Sequence, residues 1–223
     1  MRTAKTVLTV IQERGKQKKP IERVYKLLFN RELYLNAYAK LYPNNGAMTK
    51  GVTDETVDGM SIQKIDRMIE ILREEKYQWK PARREYIKKK NGKKRPLGIP
   101  VWGDKVLQEV MRQILEAYYE PQFSEHSHGF RPNRGCHTAL QEIQVWKGTR
   151  WFIEGDISQY FDTIDHKILL EILARNIHDG RFIRLVSNML EAGYLEEWKF
   201  NQTISGVPQG GVISPIDRKS TRL

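Results

Sequence analysis

The segment from 151 to 166 constrains the fold most strongly, because a short apolar run leads directly into a series of carboxylates. The apolar run at 151–153 predicts a strand, and Asp156 stands at its end. A carboxylate at a strand end can hold a divalent metal, and two such metals about 4 Å apart stabilise the attacking and leaving oxygens of a phosphoryl transfer. On spacing alone a simpler interpretation stays open, in which Asp156 caps a turn and Asp165 caps a helix.

The charge of the chain indicates a polyanionic partner. The 223 residues carry a formal net charge of +11, and 39% of them are hydrophobic, which is enough apolar material for a folded core. Nucleic acid is the first candidate partner, and an anionic membrane surface is the competing one. No run of 18 apolar residues is present, the apolar run near the N-terminus is too short for a signal peptide, and Cys136 is the only cysteine. We therefore expect a cytoplasmic protein with no membrane partner.

Residues 80–95 form the most highly charged stretch and predict a basic β-hairpin. Asn91-Gly92 is the preferred pair for a tight turn, which places the strands at about 83–90 and 93–99. Two interpretations are evenly balanced: the lysines protect the edges of a solvated hairpin, or the hairpin binds phosphates. The cations are Lys80, Arg83, Arg84, Lys88, Lys89, Lys90, Lys93, Lys94 and Arg95.

Apolar residues at helical spacing predict most of the remaining structure. Pro20 is well placed to begin a helix or a broken pair of helices that ends near Tyr42. Ser61 caps an amphipathic helix, and Asp104 begins another that ends at Pro121. The other predicted elements are a basic arm or weak helix at 1–19, a loop at 43–60, a helix ending near Gly148, helices with buried faces at 168–173 and 183–190, and a hairpin at 194–204.

Two turn-rich segments are further candidates for ligand binding. The basic loop at 125–137 contains three histidines and Cys136, but their spacing fits no standard zinc site, and one cysteine is too few for a structural one. The glycine-rich segment 206–215 lets backbone approach a ligand closely, and Gln209 offers both hydrogen-bond donors and acceptors. Neither segment identifies a ligand by itself.

Taken together and in order, these segments resemble the blocks of the reverse transcriptase encoded by bacterial group II introns, a protein also called a maturase. The resemblance covers about residues 20–216. Its most specific parts are 129–132, which read Gly-Phe-Arg-Pro, and 208–210, which read Pro-Gln-Gly, and they favour group II enzymes over retroviral and telomerase relatives. The similar blocks are 49–59, 82–87, 92–100 with Asp104, 127–132 with 136–140, 156–166, and 206–211 with 214–215.

The resemblance implies an α+β fold of the right-hand polymerase type, with a reverse-transcriptase fingers subdomain followed by an incomplete, truncated palm. The implied organisation is an N-terminal basic extension with a pre-fingers block at 1–60, fingers at 61–148, a partial palm at 149–216, and a tail at 217–223 that the family does not share. The implied activity is RNA-directed DNA polymerisation for a mobile group II intron, together with an RNA-binding role in splicing.

The resemblance also implies roles for residues of the palm. Asp156 would ligate both catalytic Mg²⁺ ions, and the carbonyl of Ile157 would join one of them. The ring of Phe161 would occupy the space of a 2′-hydroxyl and so select deoxynucleotides. Gln209 would contact the nucleotide at the nascent base pair.

The fingers residues receive implied roles in binding phosphates. Arg83, Lys89 and Arg95 would hold the incoming deoxynucleoside triphosphate, or Lys89 and Arg95 would be ordinary contacts to the template backbone. The implied partners are the group II intron RNA, an RNA template and a DNA primer, and the sequence leaves open whether the chain forms a homodimer. The other cations expected to bind RNA are Lys88, Lys90, Lys93, Lys94, Arg131 and Arg134.

Two positions depart from the family pattern. Lys88 stands where the family usually has proline, which is a minor change. After Ile216 the family continues into a Leu-Ala-Asn helix and then a Tyr-Ala-Asp-Asp hairpin that completes the metal site. In this chain residues 217–223 are polar instead, and they suggest a frame change or an engineered scar. Because Asp156 alone supplies too few ligands for two Mg²⁺ ions, we expect this chain alone not to polymerise DNA. We also expect poor solubility from an unpaired strand edge and an uncovered apolar face.

Two other functions remain open at this stage. The basic residues before position 50 and the hairpin at 80–95 could bind intron RNA without a catalytic metal, or the chain could be a degenerate remnant. Asp156 discriminates between a polymerase and a binding module, because polymerisation needs its carboxylate and RNA binding does not. Pure RNA binding would weaken steeply with salt and would not change in Asp156→Asn.

Overall fold

A computed structural model of the chain describes residues 2–88, 92, 94–156, 163–203 and 205–206. Within these ranges, helices surround one continuous apolar core, and two small sheets join segments that are distant in sequence. No helix in the described part of the chain is both long and apolar enough to cross a membrane.

Five of the described α-helices begin at a polar side chain that caps the first turn. Ser61 accepts a hydrogen bond from the backbone N–H of Lys64 at 3.2 Å, and Asp165 accepts one from Ile168 at 3.1 Å, so both act as N-caps. The α-helices are α1 (Ala4–Lys16), α2 (Arg31–Leu41), α3 (Ile62–Arg73), α4 (Trp102–Tyr119), α5 (Cys136–Gln144), α6 (His166–Asn176) and α7 (Gly180–Leu190). The 3₁₀ helices are Val24–Phe29, Val57–Gly59 and Glu120–Gln122.

The two sheets connect early and late parts of the chain. In the first, β1 pairs in parallel with β4, and Ile21 lies opposite Ile177. The second has the order β3-β2-β5-β6, in which β2 pairs antiparallel with β3 and parallel with β5. The strands are β1 (Ile21–Glu22), β2 (Ala82–Lys88), β3 (Lys94–Ile99), β4 (Ile177–His178), β5 (Tyr194–Glu196) and β6 (Lys199–Asn201).

Helix α4 passes through the core and organises the helices around it. Its apolar residues recur at helical spacing, and Leu107, Met111 and Ile114 are fully buried. Helix α1 packs against α4 where Gly15 approaches Tyr118, because a Cβ at Gly15 would lie 2.1 Å from the carbonyl oxygen of Tyr118. Helix α2 also packs on α4. The N-terminal segment therefore shares the core with the predicted fingers.

Several elements predicted from the sequence are confirmed. The basic hairpin forms from β2 and β3, and Gly92 between them has a φ of +78°, in the left-handed region that glycine adopts easily. The helix capped by Ser61, the long helix that ends before Pro121, and the hairpin near 194–201 are also present. These elements depend on turn residues and apolar spacing, which are local in sequence.

The predictions for the N-terminal region are confirmed except for one helix start. Pro20 does not begin a helix, because Ile21 is drawn into β1 by pairing with Ile177, but a broken pair of helices follows, a 3₁₀ helix and then α2, which ends at Leu41. Of the basic arm or weak helix expected at 1–19, the helix is confirmed, because α1 is a regular helix of 13 residues. It is capped by Thr3, and Ile11 lies on its buried face. The apolar stripe of α1 is weak in the sequence, and packing of the helix against α4 compensates for this weakness.

The predicted strand at 151–153 is also wrong. Trp151, Phe152 and Ile153 lie in irregular backbone, and their side chains are 87%, 70% and 95% exposed. A strand is stable only when a neighbour pairs with its backbone, and none of the described residues pairs with this segment. The apolar side chains are consequently exposed.

Candidate nucleotide and RNA interface

The hairpin of β2 and β3 carries cations on both of its faces. Side chains alternate along a strand, and directly paired residues share a face. The register places Lys88 opposite Lys94 and Ile87 opposite Arg95. Arg83 and Arg95 therefore lie on one face, whereas Lys88 and Lys94 lie on the other. The two arginines that the sequence assigned to the nucleotide are thus on a common face.

The guanidinium of Arg83 is held at the base of the hairpin. Its Nε and Nη2 atoms donate to the carbonyl oxygen of Lys50 at 3.1 and 2.9 Å, and Nη1 donates to the carboxylate of Glu85. The side chain of Arg83 is 37% exposed. Three of its five N–H groups thus donate to described acceptors, which fixes the orientation of the cation.

A second cation fixes the same loop, and no sequence pattern predicted this contact. Lys105 of α4 donates from Nζ to the carbonyl oxygens of Thr49 and Gly46, at 3.0 and 3.3 Å. Burial and the neighbouring Arg83 guanidinium both lower the pKa of Lys105. Backbone carbonyls are present at every residue, so this contact leaves no pattern of side-chain types to find.

The face opposite Arg83 anchors the hairpin to β5. The guanidinium carbon of Arg84 lies 3.7 Å from the ring centroid of Tyr194, a cation–π contact. The hydroxyl of Tyr86 donates to the carboxylate of Glu196, and this hydrogen bond raises the pKa of Tyr86. The Nζ atom of Lys94 lies 6.0 Å from the ring centroid of Tyr86. These contacts, with the pairing of β2 and β5, orient the hairpin.

Cations near the tip of the hairpin are exposed. Lys88, Lys94 and Arg95 all belong to the exposed part of the described surface. A basic, exposed hairpin has the electrostatic character of a nucleic-acid-binding element. Six further residues that the sequence assigned to nucleotide, metal or RNA contacts lie outside the described residues: Lys89, Lys90, Lys93, Ile157, Phe161 and Gln209.

Arg131 and Arg134 lie in the loop that precedes α5, and both are engaged within it. The Nε atom of Arg131 donates to the carboxylate of Glu120 at 2.8 Å, and Nη1 donates to the carbonyl oxygen of Ser124 at 2.6 Å. The side chain of Arg131 is only 7% exposed. Arg134 donates to the carbonyl oxygen of Glu125. This geometry stabilises the loop and leaves little of the Arg131 cation at the surface.

The histidines of the same loop contact a carboxylate on α5. His126 and His128 both hydrogen-bond to Glu142, the latter at 2.7 Å from Nε2, and these contacts lower the pKa of Glu142. The Nδ1 atom of His128 lies 2.8 Å from the hydroxyl of Thr138. The loop is thereby fastened to the helix that follows it.

Asp156 lies in exposed, irregular backbone after the segment that was predicted as a strand. Within the described residues, no group of three or more His, Cys, Asp or Glu side chains is arranged to hold a metal ion. An exposed carboxylate is a hard oxygen ligand of the type that Mg²⁺ prefers.

Asp104 is a buried acceptor that positions the segment before β2. Its side chain accepts hydrogen bonds from the hydroxyl of Tyr77 at 2.7 Å and from the backbone N–H of Lys80 at 3.0 Å. Burial raises the pKa of Asp104 to about 6, although both hydrogen bonds oppose the change. The sequence identified Asp104 as the start of a helix but did not reveal that it also fixes the approach to β2.

Comparison with known proteins places the chain in a family. The family model described as reverse transcriptase (RNA-dependent DNA polymerase) matches residues 87–217, which is more than half of the chain. The chain belongs to the reverse transcriptase family. The α+β fold of fingers and part of a palm, predicted from the sequence, is confirmed by this match and by the mixed helices and strands of the structure.

The relatives include proteins encoded by introns. The chain is 50% identical over 196 residues to the group II intron-encoded protein LtrA of Lactococcus lactis subsp. cremoris, covering 87% of this chain and 33% of LtrA. It is 46% identical over 221 residues to the uncharacterized 91 kDa protein in the cob intron of Schizosaccharomyces pombe, covering 96% of this chain and 27% of that protein. The predicted kinship with group II intron reverse transcriptases is confirmed.

A solved structure shares the fold. A chain of the partial Cas6-RT-Cas1–Cas2 complex superposes with a TM-score of 0.59 at 18% identity, covering 89% of this chain and 34% of that chain. At this identity the similarity concerns the fold alone. The present chain spans about a third of the length of LtrA and about a quarter of the fission-yeast protein.

Proposed function

We propose that this chain supplies the fingers and part of the palm of an RNA-directed DNA polymerase encoded by a mobile group II intron. The observation that carries the proposal is the position of Arg83 and Arg95 on one face of the β2–β3 hairpin. Membership of the reverse transcriptase family supports it. Two cations on a common face can neutralise a triphosphate, since phosphoryl transfer depends on positioning and charge stabilisation more than on covalent chemistry.

The proposed nucleotide site combines residues of the fingers and the palm. Arg83 and Arg95, together with Lys89, hold the incoming deoxynucleoside triphosphate. Phe161 selects a deoxyribose, and Gln209 contacts the nascent base pair. The shared face of the two arginines and the fixed orientation of Arg83 support this assignment.

The proposed metal site is built on Asp156. Reverse transcriptases generally use divalent metal ions, and we assign Mg²⁺ to this one because its candidate ligands, the Asp156 carboxylate and the Ile157 carbonyl, are hard oxygens. When bound, Mg²⁺ supplies charge neutralisation at the phosphates. Asp156 holds and orients the metal, and its exposure keeps the carboxylate accessible.

The proposed RNA contacts come from the tip of the hairpin. Lys88 and Lys94 are exposed, and with Lys90 and Lys93 they contact phosphates of the intron RNA or of the template. Arg131 and Arg134 contribute indirectly, by holding their loop in shape. A cytoplasmic location is part of the proposal, because a chain with one cysteine has no internal disulfide bond and intron RNA is the proposed partner.

Binding measurements on variants test the polymerase proposal against a pure RNA-binding function. One carboxylate and the phosphates of the nucleotide suffice to hold a single Mg²⁺. We therefore expect Asp156→Asn to weaken binding of a labelled deoxynucleoside triphosphate in Mg²⁺, and to leave the affinity for an RNA–DNA primer–template unchanged. Lys94→Gln should weaken RNA binding for all sequences and reduce the salt slope by about one. Lys76→Gln is the control, since its ammonium pairs with Glu74 on an exposed surface.

The outcome discriminates between the two functions. If Asp156→Asn binds the nucleotide in Mg²⁺ as the wild type does, the catalytic assignment fails. The exposed cations of the hairpin and the net charge of +11 would then favour a non-catalytic module that binds intron RNA.

A further inference from the structure

The segment 46–50, which we term the anchor loop, is held by cations from two different elements. Arg83 on β2 binds the carbonyl oxygen of Lys50, and Lys105 on α4 binds those of Thr49 and Gly46. Hydrogen bonds from charged donors are about twice as strong as neutral ones. The anchor loop therefore couples the ammonium of Lys105 to the guanidinium of Arg83 through three backbone carbonyls.

Charged donors and the buried side chain of Ala47, which is 4% exposed, together hold the anchor loop. A cavity of about 250 Å³ lies between the loop and the base of the hairpin, and its walls include Ala47, Leu97 and Trp102. Side chains of the loop thus do not fill the space against β3. The next residue, Gly51, is tightly packed, because a Cβ there would lie 2.8 Å from the Cα of Val101. Lys105 holds the residues of the loop that precede this fixed point.

We propose that Lys105 is a positioning residue of the nucleotide site, which holds the anchor loop so that the Lys50 carbonyl orients Arg83. The inference rests on the proposed role of Arg83 in binding the triphosphate. Lys105 does not itself contact the nucleotide, because its ammonium already donates to two carbonyls of the loop. Its effect on nucleotide binding passes through Arg83.

A double-mutant cycle with inorganic tripolyphosphate as the probe tests this coupling by calorimetry. In the wild-type background, Lys105→Met should weaken tripolyphosphate binding roughly fivefold, as expected for members of one hydrogen-bond network. Lys105→Arg keeps a charged donor and should bind within about twofold of wild type. In the Arg83→Gln background, Lys105→Met should cause no further loss. Lys64→Met is the matched control, since Lys64 pairs with Glu55 on an exposed surface.

Hydrogen exchange of the backbone amides at 46–51 separates positioning from simple loss of charge. We expect exchange to become faster in Lys105→Met and to stay unchanged in Lys64→Met. The methionine retains an apolar stem beside Trp102, whose ring centroid lies 5.8 Å from the Lys105 Nζ. A thermal unfolding midpoint close to that of wild type would show that the variant is folded.

The outcomes separate the inference from the proposed function. Weaker binding in Lys105→Met, with faster exchange in the anchor loop and no further loss without Arg83, supports the inference. Equal losses in both backgrounds, or weaker binding without faster exchange, would overturn it, because Lys105 would then act by charge alone. No loss in Lys105→Met, despite weaker binding in Arg83→Gln, overturns the inference and leaves the proposed function intact. Unchanged binding in Arg83→Gln would contradict the proposed nucleotide site itself.

Discussion

Burial distinguishes two arginine–carboxylate pairs that have nearly the same geometry. Arg112 donates from Nε and Nη2 to the two oxygens of Glu109 at 2.7 and 2.8 Å, and Arg31 donates from the same atoms to Asp66 at 2.7 Å in each case. The side chains of Glu109 and Arg112 are 1% and 12% exposed, whereas those of Arg31 and Asp66 are 54% and 36% exposed. The pairs differ in the desolvation of their charges and in one further contact, since Arg112 also donates from Nη1 to Glu116 at 2.7 Å.

Arg112→Leu should lower the free energy of unfolding by roughly 3–5 kcal/mol, because it leaves Glu109 buried without its guanidinium partner. Lys40, whose Nζ lies 3.3 Å from Glu109, compensates for only part of the lost charge. Arg31→Leu is the matched control and should cost less than about 1 kcal/mol, since exposed pairs contribute little. Urea unfolding at pH 7 measures both variants. Similar losses in the two would show that burial does not distinguish them.

Asp104 makes the stability of the chain depend on pH. Burial raises its pKa to about 6 from an ordinary value of 3.8, so the folded chain binds this proton more tightly than the unfolded chain does. Between about pH 4 and pH 6 the folded state therefore holds more protons, and the free energy of unfolding falls as the pH rises through this window. The full effect is on the order of 3 kcal/mol.

Comparison of wild type with Asp104→Asn isolates this pH dependence. The asparagine does not titrate, so any constant cost of the substitution is the same at every pH. We expect the stability of the wild type relative to Asp104→Asn to decline as the pH rises to about 6 and to stay level above it. Urea unfolding between pH 4.5 and 7.5 provides the measurement. A difference that does not vary with pH would rule out a raised pKa at Asp104.

At the scale of elements, Gly15 allows α1 to pack closely on α4. A Cβ at this position would lie 2.1 Å from the carbonyl oxygen of Tyr118, so Gly15→Ala forces the helices apart. We expect a loss of about 1–3 kcal/mol in the free energy of unfolding, despite the better helix propensity of alanine. Gly180→Ala, where no atom lies within 4 Å of the added Cβ, should be neutral or slightly stabilising. Thermal unfolding of the two variants in parallel checks the contrast, and equal midpoints would argue against close packing of α1 on α4.

Elements that depend on local signals were predictable, and elements that depend on distant partners were not. The hairpin of β2 and β3 follows from Asn91-Gly92 and its flanking strands, and α4 follows from its apolar spacing. The strand expected at 151–153 has the right composition but no described partner, and β1 forms only because Ile177 pairs with Ile21. In the proposed site, the roles of Arg83 and Arg95 were implied by the resemblance to the family. The link from Lys105 to the anchor loop passes through backbone carbonyls and leaves no sequence pattern.

At the scale of the whole molecule, hydrogen bonds connect the proposed fingers to the proposed palm. The indole Nε1 of Trp79 donates to the carbonyl oxygen of Leu185 at 3.0 Å, and the backbone N–H of Ala82 donates to Gly193 at 3.0 Å. The N-terminal extension joins the same network through Asp179, which accepts from the backbone N–H of Tyr25 at 2.9 Å and caps α7. One core includes residues from all three segments. Folding should therefore be cooperative across the proposed boundaries.

Cleavage of the exposed segment near Phe152 tests this cooperativity. Chymotrypsin cleaves after aromatic residues, and Trp146, Trp151 and Phe152 are 52%, 87% and 70% exposed in irregular backbone. We expect the two pieces to co-elute in native buffer and to separate only in urea, because the core and both sheets hold them together. Trp79→Phe, which removes the bond to Leu185, should lower the urea concentration at which they separate, whereas Trp198→Phe, at a side chain 94% exposed, should not. Separation without denaturant would mean that fingers and palm fold independently, and that the parallel pairing of β2 with β5 contributes little to the position of the hairpin.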